Sequence, residues 1–227
     1  MKSQSGNALF LILIAIFLLG GLTVLLSRSG TQTDETGDVE RASITANEML
    51  RYTAALGAQV QRLISSGCSE NELSFYSNKW TTPADYENAD ELSTDVDTNF
   101  NCFVYDTRGA GYPWKEIPEG VSNSATEYYI TGTIGIKDVG TTGYELVLIA
   151  PDVRQEVCSR INASLSVNSF ASDSYTSAQP FQGSYGTGTT VTFGVAGTNP
   201  SYVVGKKAAC MEDGGGNYFF YQVLHAR

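Results

Sequence analysis

The stretch EYYITGTIGI (Glu127–Ile136), KDVGTTG (Lys137–Gly143) and YELVLIA (Tyr144–Ala150) decides the fold class. Its two flanking runs are rich in β-branched and aromatic residues, the side chains that suit a pleated, half-buried surface. The glycines between them suit a hairpin loop, so the two runs are expected to pair antiparallel. A sheet is therefore the organising element, and the rest of the chain is read by what it adds to that sheet.

Three more segments carry the same signal: NFNCFVY (Asn99–Tyr105), TTVTFGV (Thr189–Val195) and NYFFYQVL (Asn217–Leu224). Aromatics fall on both faces of the last one. One face is expected to be core, and the other a candidate contact for a neighbouring subunit, where tyrosine is favoured. Between these strands, Pro151-Asp152 is expected to open a helix carrying Val153, Val157, Ile161 and Leu165 on one face. Residues 166–187 read as a Ser/Gly-rich loop, and residues 69–99, polar and acidic, as a loop with one short strand or turn at most.

Upstream the period changes from two to 3.6. From an Asp38 cap onward, Val39, Ala42, Ala46, Met49, Thr53, Leu56, Val60 and Leu63 recur at spacings of three and four, and Ser65-Ser66-Gly67 supplies the stop. Such a seam packs either on the protein's own sheet, the favoured reading, or on a second chain as a coiled coil. The expected class is α+β: a helix, an antiparallel sheet and one inserted helix.

Further upstream, ALFLILIAIFLLGGLTVLL (Ala8–Leu26) holds no charge, and Thr23 is its one polar side chain. Nineteen residues at about 1.5 Å each span about 28 Å, close to a bilayer's hydrocarbon core. Residues 7–27 are therefore expected to form a transmembrane helix. A cleaved signal peptide fits less well, because its apolar core is shorter and Ser27-Arg28-Ser29 is a poor cleavage site. Residues 28–37 (RSGTQTDETG) read as a linker or a melted stretch of helix, and residues 38–227 as the exported domain.

The formal charge of −10 removes the basic face that nucleic acid requires, and equally argues against docking on anionic lipid. Four widely spaced cysteines, Cys68, Cys102, Cys158 and Cys210, with a single histidine, His225, read as two disulfides rather than a zinc site. Of the three connectivities, Cys68–Cys102 with Cys158–Cys210 is favoured because each loop then stays within one half of the body; the other two stay open.

The order of parts resembles that of type IV pilins and pseudopilins: a basic leader ending in glycine (MKSQSG, residues 1–6), an uncharged helix, a continuing amphipathic helix, and an antiparallel sheet. The resemblance implies cleavage by a prepilin peptidase between Gly6 and Asn7. It also implies a subunit stored in the bilayer and later packed by its helix against other pilin-like subunits or a secretion or pilus assembly machinery. In that case Cys158–Cys210 would be the counterpart of the disulfide that staples the variable loop of many pilins. The chain departs from the pattern at Leu11, the fifth residue after the cut, where major pilins carry a glutamate that pairs with a neighbour's terminal amine. Some minor pseudopilins share that departure. The opening GNALFLILIAIFLL and the closing FYQVLHAR also resemble a group of bacterial membrane-anchored proteins.

Chemistry is sparse in the sequence. No G-x-S-x-G elbow or phosphate loop occurs, and His225, third from the end, reads as exposed and idle. Asp95, Asp97 and Asn99 begin like a calcium loop, but Phe100 stands where the turn glycine belongs and Asp106 where the closing glutamate belongs. Asn162-Ala163-Ser164 matches a glycosylation triplet by accident. No cofactor and no catalytic residue is expected. The expectation is a single-pass protein of the bacterial inner membrane, N-terminus cytoplasmic and body periplasmic or extracellular, acting as a pilin-like structural subunit. The alternative is an anchored binding module that forms no filament.

Overall fold

The computed structural model describes residues 5–88, 100–141, 143–175 and 178–227; in the first forty, side chains are described at 10, 12–23, 37, 39 and 40. The chain divides into two compact units, Met1–Arg41 and Ala42–Arg227.

Helix α1 is assigned from Ser5 to Ser65. Residues 28–37, expected as a linker, are helical within it. Gly30 and Gly37 each cost about 1 kcal/mol relative to alanine, yet the helix is assigned through both. In the second unit, Ala42, Ala46, Met49, Tyr52, Thr53, Leu56, Val60 and Leu63 are buried. The amphipathic seam thus packs on the protein's own body, and only Val39, 45 % exposed, falls outside it. Cys68 N–H bonds back to Leu63 O at 3.2 Å and Gly67 takes a positive φ of 113°, which closes the helix where Ser65-Ser66-Gly67 predicts.

Among the described residues the sheet has six strands: β1 (Tyr129–Ile136), β2 (Glu145–Val153), β3 (Ala171–Ser172), β4 (Val191–Phe193), β5 (Ala208–Glu212) and β6 (Tyr218–His225). Their spatial order is β3-β5-β6-β2-β1-β4. The expected hairpin forms, with Tyr129 opposite Ile149 and Thr131 opposite Val147 before the register shifts. The sheet is mixed, however, not wholly antiparallel as expected. Edge strand β4 runs parallel to β1, and edge strand β3 parallel to β5. Both edges arrive by long connections rather than tight turns, which frees them from the antiparallel direction a hairpin imposes.

Both faces of the sheet are covered. Along β2, Leu146, Leu148 and Ala150 join the core under α1, and Val147 and Ile149 join a second core on the other face. Strand β6 divides the same way, with Phe220 and Leu224 on the first face and Phe219, Tyr221 and Val223 on the second. The second aromatic face of β6 is thus a core of this chain, packed by Phe193, Val203 and Met211, and not a surface for a neighbour. The near-continuous apolar runs of β2 and β6 follow from this double burial.

Three further expectations change. The expected strand Asn99–Tyr105 does not form over its described residues: Phe100–Cys102 makes a 3₁₀ turn, followed by a single parallel bridge between Ser74 and Phe103. The disulfide at Cys102 and the fold-back of Ala110 N–H onto Phe103 O at 2.8 Å leave no straight run to pair. The inserted helix, α2, runs from Gln155 to Ser164 and starts later than Pro151-Asp152. Val153 belongs to β2, opposite Tyr218, beyond a bulge that leaves Asp152 at a φ of 51°. Within residues 69–88, Leu73, Phe75, Trp80 and Tyr86 are buried, so this polar stretch still supplies core.

The disulfides are Cys68–Cys102 and Cys158–Cys210, with Cα–Cα separations of 5.7 and 5.4 Å. Cys158 on α2 ties to Cys210 on β5, and Asn162, one turn on, repeats the tie by hydrogen bonding. Its Nδ2 donates to Cys210 O at 3.0 Å while its Oδ1 accepts from Cys210 N at 2.8 Å. Asn162 is buried with its amide engaged, which leaves it no access as a glycosylation acceptor.

Candidate functional site

Three places invite a functional reading: the apolar start of α1, a charged cluster around His225, and the acidic stretch before Phe100. Asp95, Asp97 and Asn99 lie outside the described residues. Among the described residues no group of three or more His, Cys, Asp or Glu side chains is placed to hold a metal.

In the first unit, Phe10, Ile12, Leu13, Ile16, Phe17, Leu18, Leu19 and Leu22 are between 57 % and 81 % exposed, and Ile14 is 41 % exposed. At 100° per residue, a run such as Ile12–Leu19 points apolar side chains in every direction around the helix axis. This is not the single stripe of a helix that packs on one neighbour; such a helix needs apolar surroundings on all sides. Thr23, its polar residue, keeps its hydroxyl internal by donating to Leu19 O at 3.1 Å and Gly20 O at 2.9 Å. Among the described residues, no helix is long and apolar enough to cross a membrane. Gly6 and Asn7 belong to α1, which begins at Ser5.

The second place corrects the reading of His225 as exposed and idle. Its side chain is 12 % exposed and both ring nitrogens are engaged. Nε2 meets Glu70 Oε1 at 3.0 Å and Nδ1 meets Gln61 Nε2 at 2.8 Å. A carboxylate only accepts and an amide NH₂ only donates, so this pair of partners assigns the proton to Nε2. Arg227 completes the cluster, with Nε on Glu70 Oε2 and its guanidinium over the Tyr185 ring at 4.0 Å. Its backbone N–H donates to Glu145 Oε2 at 2.7 Å.

The two carboxylates respond oppositely. Desolvation pushes the Glu70 carboxyl up, but the hydrogen bonds of His225 and Arg227 and the charge of Arg227 outweigh it and hold it below the usual range. At Glu145, on the first residue of β2, desolvation dominates and raises the carboxyl above its ordinary value despite the Arg227 N–H. Glu145 is fully buried and its Oε1 has no hydrogen-bond partner among the described residues. With both imidazole nitrogens committed and Arg227 locked on Glu70, the cluster works as a clasp joining α1, the 70s segment, β2 and the end of β6. No signal in the sequence foretold it, since its bonded partners are separated by up to 164 positions.

Compared with protein families, with curated proteins and with solved structures, the chain matches none.

Proposed function

We propose that the chain is a membrane-anchored, pilin-like structural subunit that acts through assembly of its N-terminal helix. The observation that carries this reading is the run of exposed apolar side chains from Ile12 to Leu22, which face every direction and need lipid or neighbouring helices around them. The uncharged stretch Ala8–Leu26 supports a single span, and two disulfides support an oxidising compartment for the body. In this reading the helix holds the subunit in the inner membrane and later packs against other pilin-like subunits or their assembly machinery, while the α+β body remains on the far side. Leu11 in place of the glutamate of major pilins fits a minor subunit.

The test is the intact mass of protein purified from membranes. A species beginning at Asn7 is expected. A full-length mass would instead favour the anchored binding module, because processing after Gly6 is what separates the two.

A further inference from the structure

The two disulfides differ in their surroundings. Cys158 and Cys210 are both 0 % exposed, sealed between α2 and β5. Cys68 and Cys102 are 8 % and 6 % exposed and both line an open cavity of about 500 Å³ just beyond the packed end of α1. That volume lies in the range of small-molecule sites. Its charged lining is Arg62, Arg108 and Glu72. Asp106 stands behind Arg108 at 2.9 Å, and Phe100 lies beneath its guanidinium at 3.2 Å. Arg62 donates to Ala110 O at 2.9 Å, a neutral partner, and makes no ion pair among the described residues. In a chain of net charge −10, two guanidiniums against the single carboxylate of Glu72 on the wall of one cavity favour a small anionic ligand.

We propose that Cys68–Cys102 is a thiol–disulfide exchange site for a small thiol carrying carboxylates, and that Cys158–Cys210 is a permanent staple. The thiolate of the incoming thiol attacks Cys68 Sγ, the Cys68–Cys102 bond breaks, and its electron pair leaves on Cys102 as thiolate. The incoming thiol gives up its proton to solvent, and Cys68 holds the thiol as a mixed disulfide. One disulfide replaces another, so no outside oxidant or reductant is consumed. The direction follows from the fold. Cys68 sits one residue past Gly67, at the negative end of α1, which disfavours a thiolate there. Cys102, on the 3₁₀ turn by the arginines, is the better leaving group.

The test uses folded full-length protein in detergent, incubated with reduced glutathione and sampled by short pulses of iodoacetamide that cap each cysteine as it is released. Peptide masses are expected to show glutathione on Cys68 and the cap on Cys102, at least tenfold faster than any change at Cys158 or Cys210. The paired variant Arg62→Gln/Arg108→Gln is expected to slow the reaction with glutathione about fivefold more than that with uncharged 2-mercaptoethanol, whose own slowing reports only the lost support for the Cys102 thiolate. That uncharged control separates lost attraction from a disturbed fold. Opening of both disulfides at one rate, glutathione found first on Cys102, no adduct while the protein stays folded, or equal slowing of both thiols would each overturn the proposal.

Discussion

At Glu70 a single carboxylate holds His225 and Arg227 together, and the sign of its contribution to stability can be worked out. Its folded pKa lies below the unfolded value, so its stabilisation is present above the ordinary carboxylate range and is lost as pH falls through the folded value. Glu145 has the opposite sign: its raised pKa gives stability below the unfolded value that is lost as pH rises through the folded one. Because Glu70 is about one-third exposed, its hydrogen bonds are screened, and Glu70→Gln is expected to cost about 1 kcal/mol at neutral pH. Urea unfolding of the variant and the parent is expected to converge as pH falls through the folded value of Glu70, below which both carry a neutral side chain at this position. A gap that stays constant throughout the acid range would show that the clasp does not depend on the Glu70 charge. None of this was legible in the sequence, because a hydrogen bond across such separations leaves no local pattern.

Among the elements, the second part of α1 shows how pattern and packing agree. Its buried positions are those that recur at three and four residues, and the structure adds Tyr52. That ring lies between Tyr112 and Tyr128, at centroid distances of 5.3 and 5.5 Å, and its hydroxyl donates to Pro113 O at 3.3 Å. Burial pushes this hydroxyl up to about 12. Leu56 is fully buried, so Leu56→Ala is expected to cost about 2–5 kcal/mol. Ile44, on the same helix but 60 % exposed, is expected to change stability by less than about 0.5 kcal/mol on Ile44→Ala. Denaturant midpoints of the two variants decide whether the seam packs on this body: similar losses at both positions would contradict it. Strand β5 shows the opposite case. AACME has no β-branched residue and follows two lysines, so no propensity marks it, yet it pairs with β6 over five positions from Ala208 to Glu212. Its place between β6 and β3 makes it a strand.

For the whole molecule, the central question is what surrounds the first helical unit. Arginines in place of Leu13 and Phe17 would each cost about 2.5–3.5 kcal/mol at the middle of a bilayer. The double variant Leu13→Arg/Phe17→Arg is therefore expected to leave the membrane fraction on alkaline washing, whereas the parent stays. Identical fractionation of the two would remove the anchoring role.

What the sequence determined by itself is what depends on near neighbours: the uncharged apolar run, the period of the α1 seam, the β1–β2 hairpin and the presence of a sheet. Residue spacing within one element sets these, through helix pitch and strand pleat. The favoured cysteine pairing also stands in the structure, on the simple ground that short loops within each half close more readily than long ones between halves. Only the tertiary structure decided the parallel edges, the second core that occupies the far face of β6, and the clasp that engages His225. These depend on which distant segments meet, and contact across a hundred residues is set by packing the whole chain rather than by any window of it.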